Sequence, residues 1–313
     1  MQLSGITKRY ADHLAVDDLS LTVPAGTIYG ILGPNGAGKS TTIRMAMGII
    51  GRDSGRAELL GVDPSVDRRI LARVGYLPEE RGLYKKMRVL DVIVFFGRLK
   101  GMTERDARAE GDRWLERMGL GDWRKSRVES LSKGMQQKVQ FISTVMHSPD
   151  LLILDEPASG LDPVNQEVLR ETIVDARNQG RTVIFSTHNM NEAEQLCEFV
   201  CIIADGRKVL DGELRAVRRA HQGRRWRIEF EEVTDDARAL VQRGGFRAVT
   251  ETEDGWEVEL GPEEDPRELL AAVSGLDAAL VRFEHVQPTL HDIFVEKVGR
   301  SAASPRHREA AHA

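Results

Sequence analysis

The chain has 313 residues, 41% hydrophobic and 30% charged, with a net charge of -5. That length supports a large α/β core and a second small domain. The acidic balance excludes a global positive field for nucleic acid, and the longest apolar runs, VIVFF (92–96) and LLIL (151–154), fall far short of the ~20 residues that a bilayer span needs.

No basic-then-apolar leader opens the sequence, so the expectation is a cytoplasmic protein whose membrane role requires a partner. Cys197 and Cys201, in CEFVC, lack metal-ligand spacing and read as small buried residues beside a strand. In chain order, LAVDDLSLTV (14–23) alternates in its second half like a strand, then turns at PAG. TIYGILG (27–33) is a β-rich run entering a glycine loop, and STTIRMAMGII (40–50) predicts a helix ending at Gly51. VGYLPEERGLY (74–84) places a turn-prone Pro78 before Glu79, Glu80 and Arg81. Residues 88–118 predict two helices, with Thr103 as N-cap of the second. Val139, Ile142, Val145 and Met146 recur at helical spacing. LLILDE (151–156) and RTVIFSTH (181–188) are apolar runs ending in polar residues, the pattern of strands buried on both faces of a parallel sheet. Ligands of such sheets sit at the C-terminal strand ends.

After residue 213 the character changes. Residues 215–227 hold six arginines, which could meet anionic lipid or RNA; the expectation is a solvated linker balanced by the acids that follow. The next segments predict β-α-β-β-α-β, a ferredoxin-like order, and then a helix over 289–299. The expected organisation is a nucleotide-binding domain over 1–213, a linker over 214–223, a small α+β domain over 224–299 and a disordered tail over 300–313.

GPNGAGKS (33–40) fits G-x-x-x-x-G-K-[ST], with a predicted strand before it and a helix after it. Its glycines let backbone N–H groups wrap phosphates, since a Cβ would block the approach. Lys39 supplies a point charge to β- and γ-phosphates, Ser40 a hydroxyl to Mg²⁺, and the helix N-terminus its dipole. In LLILDEP (151–157), Asp155 ends a strand where it can hold Mg²⁺ through water, and Glu156 can polarise an attacking water. Alone, the two acids could merely cap a strand.

With LSKGMQQK (131–138) added, roughly residues 1–213 resemble the ABC ATPases, the ATP-binding cassettes of ABC transporters. The resemblance implies a P-loop cassette, a mixed sheet core with a helical subdomain at about 80–150, joined here to the small α+β ferredoxin-like domain. Tyr10, which alone would read as a packed strand aromatic, matches the aromatic that stacks on adenine. Gly33, Asn35, Gly36, Gly38, Lys39, Ser40 and Thr41 match the phosphate loop. Ser132 and Gly134 match the signature, where Lys133 and Met135 replace the more usual glycine and glutamine. Asp155 and Glu156 match the Mg²⁺-binding aspartate and catalytic glutamate. Asp162, in SGLD, matches a loop that crosses the dimer interface, and His188 the switch histidine at the γ-phosphate.

Because the chain has its own phosphate loop, the resemblance implies that Ser132 and Gly134 serve ATP bound on a second chain, a copy of this one or a relative. ATP becomes a ligand of the dimer, and hydrolysis lets the chains part. YLPEERGLY, LSKGMQQK and QPTLHDIFVEKVG together are similar to a subgroup of bacterial export ATPases that includes sodium-export types. That implies a peripheral subunit on separate membrane-spanning permeases, at the inner face of the cell membrane. Glu79 stands where most cassettes have a glutamine that contacts Mg²⁺ and the attacking water; a carboxylate can ligate Mg²⁺ as well. Alternatively Glu79 points outward and Glu80 or Arg81 meets the partner. A different class, ABC ATPases that remodel ribosomes or nucleic acid, usually carries two cassettes or a long coiled-coil insertion, absent here. A third, an ATP sensor without turnover, fits poorly with an intact Glu156 and His188.

Overall fold

The computed structural model describes residues 1–302 apart from 81, 245 and 247. Two compact units emerge, Met1–Leu214 and Arg215–Glu296. The first contains two sheets. A three-stranded antiparallel sheet, ordered β2-β1-β4, joins β1 (Gln2–Tyr10), β2 (His13–Thr22) and β4 (Ser54–Glu58).

The second sheet has six strands: β3 (Ile28–Leu32), β5 (Val74–Leu77), β6 (Leu151–Asp155), β7 (Thr182–Thr187), β8 (Phe199–Ala204) and β9 (Arg207–Glu213). Their order is β5-β6-β7-β3-β8-β9, parallel throughout except for the antiparallel β9. Every residue of β3, β6 and β7 is buried, so these strands read as near-continuous apolar runs. Their C-terminal ends carry Leu32, Asp155 and Thr187, and the site is built from the loops that follow. Cys197 and Cys201 are buried free thiols.

Helix α1 (Lys39–Ala46) follows β3. It ends four residues before the expected stop. Gly48 adopts φ +63°, a left-handed conformation that stops the helix, and the N–H groups of Gly48 and Ile49 turn back to Met45 O and Arg44 O. Helices α2 (Val89–Leu99), α3 (Glu104–Arg117) and α4 (Lys133–Val145) pack on one another as a separate layer, with Trp114 of α3 edge-on to Phe141 of α4 at 6.1 Å. The Thr103 hydroxyl accepts from Asp106 N at 3.1 Å, the expected cap of α3. Helices α5 (Pro163–Asn178) and α6 (Met190–Leu196) start on the Asp162 and Asn189 caps.

Helix α7 (Leu214–Ala220) takes up the first six residues of the arginine-rich segment, where a solvated linker was expected, and buries Leu214 and Val217. The second unit then runs β10 (Arg225–Phe230), α8 (Asp235–Arg243), β11 (Ala248–Thr252), β12 (Gly255–Glu259), α9 (Pro266–Ser274) and β13 (Leu280–His285). Its sheet is antiparallel, ordered β11-β12-β10-β13, which is the ferredoxin-like arrangement. Ile228, Phe230, Trp256, Val258, Leu269 and Val273 form its core. Arg227 pairs with Glu257 and approaches Glu284. Helix α10 (Leu290–Ala302) follows, and the rest of the tail lies outside the described residues.

Candidate active site

The phosphate loop leaves β3 at Gly33 and enters α1 at Lys39. Gly33 has φ +151°, and a Cβ there would lie 2.1 Å from Ile203 O. Gly38 has φ +101°, and its Cβ would lie 2.5 Å from Ala15 O. The loop path is therefore closed to any side chain at both positions. The Lys39 ammonium, 6% exposed, donates to Gly33 O at 2.8 Å and Pro34 O at 3.2 Å and lies 3.5 Å from Glu156 Oε1. Its three protons thus meet three acceptors at the loop mouth.

Register brings the acids to this mouth. Asp155 pairs with Ser186 across β6 and β7, and the Ser186 hydroxyl donates to Asp155 Oδ1. Asp155 Oδ2 is buried with no protein partner. An orphaned anionic oxygen beside a phosphate loop suits a hard cation, with Ser40 as the neighbouring hydroxyl ligand. Glu156 follows at φ +49°, a conformation uncommon outside glycine, and its N–H donates to Ser186 O at 3.0 Å. Its carboxylate has two nitrogen partners: His188 Nδ1 lies 3.0 Å from each oxygen, and Lys39 Nζ lies 3.5 Å from Oε1.

Three further side chains tie down the residues on either side of His188. The Thr187 hydroxyl donates to Glu192 Oε2 at 3.3 Å and accepts from Asn189 N at 3.0 Å. Glu192 N donates to Asn189 Oδ1 at 3.3 Å. Both neighbours of His188 are locked to the first turn of α6. Burial raises the Glu192 carboxyl above the usual carboxylate range.

A cavity of about 500 Å³ opens over the loop, lined by Asn35, Gly36, Gly38, Lys39, Ser40 and Thr41, and also by Tyr10, His13, Glu79 and Glu156. Tyr10 is 45% exposed and faces His13 across the β1–β2 turn, with Lys8 Nζ 5.4 Å from its ring centroid. Glu79 therefore faces the nucleotide cavity rather than only bulk solvent. Gln140 of α4 steadies the Glu79 loop, its amide donating to Pro78 O at 3.3 Å and Glu80 O at 3.2 Å. Arg81 lies outside the described residues.

Ser132, Gly134 and Asp162 are not among the lining residues of that cavity. They gather elsewhere. Ser132 caps α4 through Met135 N at 3.2 Å. A Cβ on Gly134 would lie 3.1 Å from Gly160 O. Asp162 accepts from Asn165 N at 3.1 Å and sits 4.0 Å from Lys138 Nζ. The Asn165 bonds keep the Asp162 carboxyl below the usual range.

Sequence reasoning missed His13, Ser186 and Glu192. Glu192 was readable, because Asn189-x-x-Glu192 is a capping-box spacing. His13 and Ser186 carry no local signal; strand pairing places them.

The ABC transporter family model matches residues 16–159, and residues 212–298 match the C-terminal domain of DrrA1-3-like ATP-binding proteins. An uncharacterized ABC transporter ATP-binding protein, YhaQ of Bacillus subtilis, is 44% identical over 96% of this chain and 98% of its own. Nod factor export ATP-binding protein I of Burkholderia lata is 34% identical over 95% and 96%. A solved ATP-binding subunit of an ABC transporter superposes with TM-score 0.67 at 27% identity, covering 70% of this chain and 92% of that one. With the phosphate loop, the paired acids and relatives that span nearly its whole length, the chain belongs to the ABC transporter ATP-binding proteins and is an ATPase.

Proposed function

We propose that the chain is the ATP-hydrolysing subunit of an exporter, acting at the inner face of the cell membrane on separate membrane-spanning permease subunits. One observation carries the chemistry: the Glu156 carboxylate is clamped between Lys39 and His188 at the rim of the phosphate-loop cavity. Glu156 acts as general base on the attacking water, and His188 fixes its orientation and reaches the γ-phosphate. Lys39 and the loop N–H groups hold the phosphates, and Tyr10 stacks on adenine. Ser40, Asp155 and Glu79 are the residues that would hold Mg²⁺, which offsets charge on the phosphates when bound. Ser132, Gly134 and Asp162 complete the site of a second ATPase subunit.

Export is supported by the name of the Nod factor relative. Membrane attachment needs a partner, because among the described residues no helix is long and apolar enough to cross a bilayer. The Glu79 loop borders a second, apolar cleft, lined by Pro78, Leu83, Phe96 and Leu99, which we assign to permease docking. The boundaries we propose are a cassette over 1–213, a connector over 214–223 and the small domain over 224–299; the compact units split next to the first of these.

The test is Glu156→Gln. It keeps the shape and loses the base, so nucleotide binding should persist while turnover falls by on the order of a thousandfold. Fluorescent-nucleotide titration and phosphate release measure the two separately. Hydrolysis at the parent rate would remove Glu156 from the chemistry.

A further inference from the structure

Tyr10 stands at the end of β1, where strand pairing no longer fixes its position. The last β1–β4 pair is Thr7 with Ser54, and the β1–β2 register shifts between Lys8 and Arg9. The ring is half-exposed, so core packing cannot hold it on all sides. A stacking platform that turns freely loses affinity to the entropy of ordering it.

One residue takes over where the ladder stops. Asp53, which directly precedes β4, bonds three successive residues of β1. Its N–H donates to Thr7 O at 2.9 Å, its Oδ1 accepts from Lys8 Nζ at 2.8 Å, and its Oδ2 accepts from Arg9 N at 2.7 Å. The Lys8 hydrogen bond, and then that of Arg9 N, hold the Asp53 carboxyl below the usual carboxylate range. Lys8, fixed in this way, sits over the Tyr10 ring with Nζ 5.4 Å from its centroid, within cation–π range. Tyr10 lines the nucleotide cavity, whereas neither Lys8 nor Asp53 is among its described lining residues. Any effect of the pair on the base therefore passes through Tyr10.

We propose that Asp53 and Lys8 are positioning residues for the base of the nucleotide: Asp53 fixes Lys8, Lys8 covers one face of the Tyr10 ring, and the base takes the other. The ammonium holds the ring through its quadrupole, and the Arg9 N–H tie holds the backbone that carries it. The ring is thus set before the base arrives. Affinity for the base is then separable from affinity for the triphosphate, which the loop after β3 holds. The inference rests on the stacking role of Tyr10 proposed above and adds the residues that keep the platform rigid.

Calorimetry on the full-length chain with adenylyl imidodiphosphate, a non-hydrolysed ATP analogue, and with inorganic triphosphate separates the base from the phosphates. Tyr10→Leu should weaken the analogue about tenfold and leave triphosphate unchanged. Asp53→Ala and Lys8→Met should each weaken the analogue about threefold, again with triphosphate unchanged. Lys8→Arg keeps the cation and should bind like the parent. In the Tyr10→Leu background, Asp53→Ala should have no further effect, because the two act in series. Asp53 also ties backbone, so Lys8→Met carries the test should Asp53→Ala fail to fold. Loss of both ligands alike, an effect undiminished without Tyr10, or no effect at all would overturn the inference and leave stacking in place. An analogue-to-triphosphate ratio unmoved by Tyr10→Leu would overturn both.

Discussion

Lys39, Glu156 and His188 sit within hydrogen-bonding or ion-pairing reach, yet they come from three different strand ends. The phosphate loop was legible because its demands are local: Gly33 and Gly38 are required by backbone approach within a few residues. The contacts that orient the acids were not legible, because Ser186 reaches Asp155 only through the β6–β7 register. Glu192 shows what such contacts do. Its carboxylate accepts from the Thr187 hydroxyl, which in turn accepts from Asn189 N, and so it aims the histidine between them. Glu192→Ala should lower kcat on the order of tenfold with little change in ATP affinity, because the nucleotide is held by the loop. Glu192→Gln keeps an acceptor for Thr187 and should restore most of the rate. A parallel fall of kcat and affinity, or no rescue by Gln, would reduce Glu192 to a fold-stabilising residue. Glu79 makes a complementary case, since it faces the cavity from a loop that also borders the apolar cleft. In reconstituted transporter, Glu79→Ala should weaken transport per ATP hydrolysed more than ATP binding. Equal loss of both would take it out of the coupling path.

At the level of elements, strands buried on both faces announced themselves by unbroken apolar runs, and α3 by its Thr103 cap. The first sheet did so only in part, through the alternation in the second half of LAVDDLSLTV that marks β2. Strand β1 breaks its alternation at irregularities between Leu3 and Ile6 and again before Lys8, so no period of two survives to be read. The apolar run of α1 carried the expected helix too far, because MGII looks helical until Gly48 turns. Behind α4, His147 has a measurable consequence. Burial, and then the charge of Lys100, hold its imidazole down to about 4. In the unfolded chain it titrates near ~6.5. Between those values the unfolded chain binds the extra proton, so stability is full above the upper value and declines as pH falls toward the lower one. The ring is partly solvated, so the loss is about 1–2 kcal/mol rather than the full shift. Urea unfolding at pH 7 and pH 5 should show that difference shrinking by this amount in His147→Gln. An unchanged pH dependence would place the titration elsewhere.

For the whole molecule, the order of strands and helices after residue 224 was legible as a ferredoxin-like unit, since each segment has a clear period and turn. What spacing could not show is that Ser132, Gly134 and Asp162 stand outside the lining of the phosphate-loop cavity. Ser132, Gly134 and Asp162 form a capped patch around the N-termini of α4 and α5, apart from the cavity that holds Lys39 and Glu156. Two copies related by a two-fold axis would each lend that patch to the other's nucleotide, giving two equivalent sites. The α4 N-terminus then directs positive dipole and a hydroxyl at a triphosphate. Glu156→Gln with Mg-ATP should therefore sediment as a dimer, and with ADP as a monomer. Ser132→Asp is the sharper perturbation. Aspartate is as good a cap as serine, so α4 keeps its start, but the new charge opposes the phosphates. In the Glu156→Gln background it should weaken the ATP-dependent dimer by at least about tenfold while leaving monomer stability and nucleotide binding to the monomer unchanged. A dimer of parent strength in that double variant would mean that Ser132 faces solvent in the closed state, and the shared site would have to be built from other residues.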